Sequence, residues 1–337
     1  MPNIKQNYSL KSHNTFNIAA KTKYFVECNS IEELQQAVKQ SETGFGPRLI
    51  VGSGSNILFK DDYNGLIIHP NIKGKKLLKE THSSIQIKVS CGENWDDFVE
   101  YCVENSYGGL ENLSWIPGKV GAVPIQNIGA YGVEAKDCII EVEALNITSG
   151  EIKTFTKDEC EFGYRNSIFK NEYRSKYIIL AVTFELSKNP SLTTNYGAIQ
   201  KHLNNYPKKN IKTVRKIIIN IRKEKLPDPN EIGNAGSFFK NPIVNRVKFE
   251  NIYDNFPAMP YYELSQDTVK IPAGWMIEKC GWKGKRIGNA GVYNKQALIL
   301  VNYGNATGQE IYDLSQQIKA DVKKQFGITL EEEVNII

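Results

Sequence analysis

Three short stretches carry side chains that could take part in chemistry. In FGYRNSIFK, residues 162–170, Tyr164 and Arg165 follow a glycine. A planar guanidinium there suits a carboxylate or a developing oxyanion. In GNAGSFFKNP, residues 233–242, Ser237 follows Asn234, Ala235 and Gly236, where the backbone can bend tightly. A hydroxyl held in such a bend can donate a proton. In LEEEV, residues 330–334, Glu333 follows a strand-like stretch over 328–330. Each also has a plain structural reading: a surface arginine, a strand-start serine, a solvated acidic run. The four histidines stand at no metal-ligand spacing from a cysteine or from one another, so no metal site is expected. G-x-S-x-G, H-E-x-x-H and G-x-x-x-x-G-K-[ST] are absent. That argues against an α/β-hydrolase, a zincin and a P-loop ATPase.

Two glycine-rich stretches are candidates for holding a ligand near these groups. Residues 117–132, PGKVGAVPIQNIGAYG, contain four glycines, two prolines and one charged side chain, Lys119. Such a run makes a poor helix and a poor strand. It is also too apolar for a solvated linker. The expectation is a buried irregular segment whose N–H groups need partners. A dinucleotide with its pyrophosphate would supply them; a tight packed loop between domains is the alternative. The second stretch, GSGSN at 52–56, follows a strand expected over 48–51. Its backbone can approach an anion closely, although a tight turn explains it equally well. It is not the fingerprint of parallel-sheet dehydrogenases, because Ile57 stands where the last glycine belongs.

The elements that position these stretches can be read in part. Strands are expected over 24–27, 65–69, 85–91, 177–186 and 297–301, and a hairpin over 139–147 and 151–156 around Thr148-Ser149-Gly150. Ser30 with Glu33, and Thr307 with Glu310, make capping boxes ahead of helical apolar faces, and Gly327 closes the second helix. Asn94 caps a helix with Trp95, Phe98, Val99 and Cys102 on one face. Val214, Ile217, Ile218 and Ile221 mark another, ended by KLPDP at 225–229, where a domain boundary is expected. Residues 189–207 look polar and broken, with Tyr196-Gly197 exposed.

With 337 residues, two or three domains are expected. The net charge of +5 and pI near 8.6 fall short of a nucleic-acid-binding domain. No apolar run nears the roughly 20 residues needed to span a bilayer, and the N-terminus lacks the apolar core of a signal peptide. The six scattered cysteines suit reduced, mostly buried thiols in a cytoplasm.

Taken jointly, these strings resemble the UDP-N-acetylenolpyruvoylglucosamine reductases, flavoenzymes of peptidoglycan precursor synthesis. The resemblance covers nearly the whole chain: NTF at Asn14, VGSGSNIL at Val51, GLENLSWIPGKVGAVPIQNIGAYGVE at Gly109, FGYRNSIFK, KLPDP, GNAGSFFKNP, AGWMIEKCG at Ala273 and QALILVN at Gln296. It implies an α+β fold: an FAD-binding domain of the vanillyl-alcohol-oxidase type in two subdomains, 1–70 and 71–225, then a substrate domain, 226–326, and a returning C-terminal strand, 327–337. It implies non-covalent FAD, held by Gly52, Ser53, Gly54, Ser55, Asn56, Pro117, Gly118, Gly121, Gln126, Asn127, Gly129, Ala130 and Tyr131. NADPH is the implied co-substrate and the enolpyruvyl sugar nucleotide the substrate. Ser237 would be the proton donor, with Arg165 and Glu333 polarising the substrate. Tyr164, Tyr196, Lys225, Asn241, Tyr262, Lys270 and Gln296 match nucleotide-sugar contacts, Tyr196 in the variety whose tyrosine loop closes over the substrate. A cytoplasmic monomer without metal, nucleic acid or membrane is expected. Asn335 departs from the arginine frequent in the family. Two other classes remain open: a flavin oxidase using oxygen, and a non-enzymatic nucleotide-binding protein.

Overall fold

The computed structural model describes residues 2–41, 44–195 and 197–337. The chain divides into two compact units. The first comprises Met1–Tyr8, Thr22–Ser53 and Asn64–Glu224; the second comprises Ser9–Lys21, Gly54–Tyr63 and Lys225–Ile337. The chain therefore passes from one unit to the other inside GSGSN, between Ser53 and Gly54.

In the first unit a five-stranded antiparallel sheet runs in the order Ile152–Thr156, Ile139–Asn146, Tyr177–Ser187, Ser84–Ser90, Lys75–Glu80. Its middle strand, YIILAVTFELS, is apolar over Ile178–Val182 because it serves two cores, and its one exposed residue is Glu185. Ile178 and Leu180 pack with Val26, Leu34 and Leu66, while Ile179, Val182 and Phe184 pack with Trp95, Phe98 and Val142. Ser84–Ser90 alternates buried and half-buried positions, as a strand with one core face must. Lys75–Glu80 is exposed along its length. Its lysines and glutamate suit a sheet edge that must not recruit another strand.

Helix α1, Ile31–Gln40, starts at Ser30, whose hydroxyl accepts from the Glu33 N–H at 3.1 Å. Helix α2, Trp95–Glu104, is capped by Asn94, which accepts from Asp96 and Asp97. Each such cap is worth about 1 kcal/mol. The polar stretch that begins at 189 contains a helix that its composition did not signal. Helix α3, Gly197–Leu203, buries Ile199 and Leu203 against Val214, Ile217, Ile218 and Ile221 of helix α4, Ile211–Lys225. The expected strands at 24–27, 48–51 and 65–69 form Lys21–Cys28, Arg48–Ile50 and Tyr63–Pro70 of a four-stranded sheet.

The second unit holds a four-stranded antiparallel sheet in the order Gly233–Ser237, Ile299–Asn302, Ala290–Val292, Arg286–Ile287. It also holds a three-stranded sheet, Ile243–Asn245, Thr268–Lys270, Tyr262–Glu263. Helices α5, Arg246–Tyr253, α6, Ala273–Lys279, and α7, Gly308–Phe326, complete it. The capping box of α7 forms as expected, and Gly327 ends it in the left-handed region at φ 64°. The strand expected over 328–330 does not form. Instead Asn335–Ile336 pairs in parallel with Ile57–Leu58. Isolated apolar residues such as Ile328 and Leu330 are buried here as loop side chains, which periodicity over three residues cannot distinguish from a strand. Among the described residues no helix is long and apolar enough to cross a membrane, and no His/Cys/Asp/Glu group could hold a metal ion.

Candidate active site

Arg165 belongs to the first unit. Gly163 and Asn166 exchange backbone hydrogen bonds at 3.0 and 3.2 Å, which puts Tyr164 and Arg165 at the apex of a tight turn. Arg165 takes φ 52°, a costly setting for a residue with a Cβ, so the surroundings must hold it. They do so at several points. Arg165 Nη2 donates to the Gly129 carbonyl at 2.7 Å, and Lys170 Nζ donates to the Arg165 carbonyl at 3.2 Å. Ser167 Oγ donates to the Ile125 carbonyl at 2.6 Å. Asn127 Nδ2 donates to the Gly163 carbonyl at 3.0 Å and to Glu134 Oε2 at 2.9 Å, while its Oδ1 accepts from the Lys136 N–H at 3.0 Å. The Arg165 turn and residues 117–132 thus form one hydrogen-bonded body. Asn127 is fully buried, and its amide is spent on this framework, so a cofactor contact at 127 falls to the backbone.

Residues 117–132 are not the buried segment expected. Val120, Val123, Pro124 and Asn127 are buried, whereas Pro117, Ala122, Ile125 and Gly132 are exposed. Much of the backbone is satisfied by neighbours. Val120 N–H donates to Glu93, Gly121 N–H to Cys91, and the Gly118 carbonyl accepts from Trp95. Gly129–Ala130 pairs with Val133–Glu134 as a short hairpin. Gln126 and Tyr131 are half-buried. The segment is therefore a surface-lining element anchored from below.

The anchors include residues that carried no sequence signal. Trp115, at φ 59°, has its N–H bonded to Asp96 Oδ1 at 2.5 Å and its carbonyl to Arg222 Nε at 3.1 Å. Asp96 is itself gripped by buried Arg215 at 2.6 and 3.1 Å. Arg222 also hydrogen-bonds Tyr131, whose hydroxyl pKa burial pushes up. One guanidinium thus ties Trp115, two residues before the run, to Tyr131 near its end. Arg215 and Arg222 lie seven residues apart, on one face of α4.

Gly52 and Ser53 complete the first unit's share. A Cβ on Gly52 would stand 3.5 Å from Lys119 Cγ, so the lysine stem lies against this glycine. Ser53 Oγ is buried and has no hydrogen-bond partner among the described residues. A buried hydroxyl left unpaired is costly, and a phosphate oxygen is an acceptor that would satisfy it. The residues present therefore fit the diphosphate of FAD.

In the second unit Gly54, at φ 63°, is pressed against backbone: a Cβ there would lie 2.0 Å from the His13 carbonyl oxygen and 2.8 Å from Asn14 Cα. Glycine is required at 54 by the protein's own backbone packing, whatever the loop binds. Asn14 is buried and bonds Leu10 and Ile18, fixing that neighbouring turn. Ser55 and Asn56 are half-buried. Asn56 Nδ2 donates to the Glu333 carbonyl at 3.1 Å, and the Asn56 carbonyl accepts from both the backbone and the side chain of Asn335. Asn335 therefore clamps the loop that leads to Glu333, a role that needs an amide and no basic group.

Ser237 ends the strand Gly233–Ser237. The register against Ile299–Asn302 slips between Asn234 and Ser237, and Gly236 takes φ 71°. The tight bend expected before Ser237 is a bulge within the strand, and Ser237 ends that strand where the plain structural reading had it start one. The Gly236 N–H bonds Asn234 Oδ1 at 3.0 Å, and buried Asn234 also donates to Pro227 and Ile232. Ser237 is exposed while Phe238 and Phe239 are buried, so the bulge turns the hydroxyl outward above an apolar floor. The Phe238 carbonyl accepts from the Glu333 N–H at 2.8 Å. Ser237 and Glu333 are thereby brought alongside each other. The three consecutive glutamates have separate settings. Glu331 pairs with Lys240 at 3.0 Å, Glu332 pairs with Lys319 at 2.7 Å, and Glu333 is half-buried. Burial would raise the Glu332 carboxyl, but hydrogen bonds led by Lys319 outweigh it and hold the pKa below the ordinary value.

The other expected contacts fall in two groups. Asn241 Oδ1 accepts from the Ala273 N–H at 2.9 Å, and Gln296 Oε1 stands 2.9 Å from where a Gly274 Cβ would be, so both meet the first turn of α6. The Phe238 N–H bonds Leu298, two residues beyond Gln296. Tyr262 and Lys270 are register partners, with the ammonium 5.3 Å from the ring centre. Lys225 is exposed at the end of α4. Tyr196 lies outside the described residues.

The mixed α/β chain is an FAD-binding oxidoreductase with a further C-terminal domain, as its similarities show. Residues 22–156 match the family model of an FAD-binding domain, and residues 228–337 match that of the UDP-N-acetylenolpyruvoylglucosamine reductase C-terminal domain. A UDP-N-acetylenolpyruvoylglucosamine reductase of Flavobacterium johnsoniae is 50% identical over 337 residues, covering 99% of both chains. One of Bacteroides fragilis is 49% identical, covering 99% of this chain and 100% of its own. The crystal structure of the reductase from Thermus caldophilus aligns with a TM-score of 0.68 at 22% identity, covering 100% of this chain and 98% of the other, and shows the same fold. The chain belongs to the UDP-N-acetylenolpyruvoylglucosamine reductase family.

Proposed function

We propose that the protein reduces UDP-N-acetylenolpyruvoylglucosamine to UDP-N-acetylmuramate, with NADPH as electron donor and non-covalent FAD, in peptidoglycan precursor synthesis. Full-length identity near one half to reductases of that name carries this reading. When bound, FAD accepts reducing equivalents from NADPH and supplies a hydride to the vinyl carbon of the substrate. Gly52 and Ser53, with the 117–132 run, would hold it. Arg165 would bind the enolpyruvyl carboxylate and stabilise the negative charge that grows there; one preorganised donor of this kind is worth roughly 3–4 kcal/mol. Ser237 Oγ would give its proton to the carbon next to the carboxylate, so that hydride and proton add across the double bond. Glu333, held beside Ser237 by the Phe238 carbonyl, would orient that region or act protonated, since an ionised carboxylate would oppose the growing charge.

Tyr164, Lys225, Asn241, Tyr262, Lys270 and Gln296 would contact the sugar nucleotide. The reading also includes a tyrosine loop, Tyr196, closing over the substrate, and a cytoplasmic monomer divided at 70, 225 and 326. The supporting observation for the loop is its sequence setting just before α3.

NADPH consumption with and without UDP-N-acetylenolpyruvoylglucosamine tests the proposal. Substrate-dependent consumption and acid-releasable flavin absorbance are expected. Flavin that acid does not release, with oxygen-dependent turnover and no response to the sugar nucleotide, would instead identify an oxidase.

A further inference from the structure

Lys73 and Lys119 form a pair of cations that the chemistry above does not use. Lys119 is the only charged side chain in residues 117–132, and its stem lies along Gly52, with Cγ 3.5 Å from a Cβ built there. Its backbone bridges to Asn94, which fixes where the side chain starts. The Lys73 ammonium donates to the Gly92 carbonyl and also meets the Lys119 ammonium. Two like charges are thus held together, one on a stem that lies along Gly52, and the next residue, Ser53, buries a hydroxyl that has no hydrogen-bond partner among the described residues; an anion would answer both. We propose that Lys119 and Lys73 clamp the diphosphate of FAD, together with Ser53, and that cofactor retention in this protein is therefore salt-dependent.

The electrostatics agree with the geometry. Burial, and then Lys73, hold the Lys119 ammonium below its ordinary pKa, although Glu93 and Asp97 act in the opposite sense. Glu93 is already engaged, with Oε1 accepting from the Gly74 N–H at 2.8 Å. A bound dianion would favour the charged lysine and oppose that lowering, so FAD should bind more weakly as pH rises through the lysine's pKa. The alternative anion is the phosphate of NADPH, and the two sources separate experimentally.

The inference rests on FAD being the cofactor. The test titrates apoprotein with FAD and with riboflavin, which has no phosphate, following flavin fluorescence over a range of salt concentrations. Lys119→Met and Lys73→Met should each weaken FAD binding roughly tenfold at low salt, the loss expected for one charge-assisted contact. Their salt dependence should flatten, because screening then has less to act on. Lys119→Arg should stay near wild type, and riboflavin affinity should not change. Equal FAD affinity and salt slope in wild type and Lys119→Met would overturn the clamp. So would an equal loss for riboflavin, which marks a structural effect, or an NADPH-specific loss with FAD binding intact. Wild-type protein that binds no FAD would refute the functional reading itself and take the clamp with it.

Discussion

Replacing Ser53 with alanine should raise the stability of the apoprotein and weaken cofactor binding. The hydroxyl is buried with no partner among the described residues, so without ligand it contributes only a desolvation cost. An unsatisfied buried polar group costs about 1–3 kcal/mol. Removing it at nearly constant volume should recover about 1 kcal/mol, a rise of about 2–4 °C in the unfolding temperature for a unit of this size. If the hydroxyl donates to a phosphate oxygen, its loss removes a charge-assisted hydrogen bond worth about 1.5–3 kcal/mol, so FAD affinity should fall by roughly ten- to a hundredfold. Thermal unfolding of the apoprotein and fluorescence titration with FAD measure the two effects separately. Most structural substitutions move both quantities the same way, so the opposite signs are diagnostic. An apo Ser53→Ala variant that is less stable, or one that binds FAD as wild type does, would refute the assignment of Ser53 to the diphosphate.

Gly54→Val should fail at the level of folding, because its Cβ would lie on the His13 carbonyl; yellow, soluble, fully active protein would contradict the local backbone packing. Glu332, with a folded pKa held below 4.5, contributes stability that is fully present above that value and lost as pH falls through the folded pKa. Chemical unfolding at pH 6 and pH 3.5 should therefore show Glu332→Gln less stable than wild type at the higher pH and close to it at the lower; a gap that widens on acidification would reverse the sign. Tyr196→Phe should weaken sugar-nucleotide binding and leave NADPH oxidation by the flavin intact, as separate half-reaction measurements will show; equal slowing of both would remove the residue from a substrate lid.

Elements set by local chemistry were legible in the sequence. The capping box at Thr307, the Ser30 and Asn94 caps, the Gly327 stop and the largely apolar strand over 177–186 all need only residues within a few positions of one another; at Ser30 the box is only half made, because Glu33 accepts from the Asn29 N–H in place of the Ser30 N–H. Lys75–Glu80 escaped because an edge strand with both faces exposed has no apolar period. A returning C-terminal strand was expected from the resemblance, but its partner, Ile57–Leu58, escaped because a parallel pair between segments about 280 residues apart leaves no local mark. The site divides the same way. The strings around Arg165, Ser237 and Glu333 were visible, but what holds them was not. The Ser237 bulge depends on its register with Ile299, and the Arg165 turn depends on Asn127 and Gly129. Lys73, Arg215 and Arg222 read as ordinary surface cations until α4 and residues 115–131 are placed together.

Stopped-flow measurement of the two half-reactions in Ser237→Ala tests the central claim most directly. Flavin reduction by NADPH should stay near the wild-type rate. Reoxidation by the enolpyruvyl sugar nucleotide should slow by roughly 10²–10⁴-fold, the usual loss for a missing general acid. Ser237→Cys should keep more of the rate, because a thiol can also donate a proton. A normal second half-reaction in Ser237→Ala would leave Ser237 as the end of a bulged strand and remove it from the chemistry.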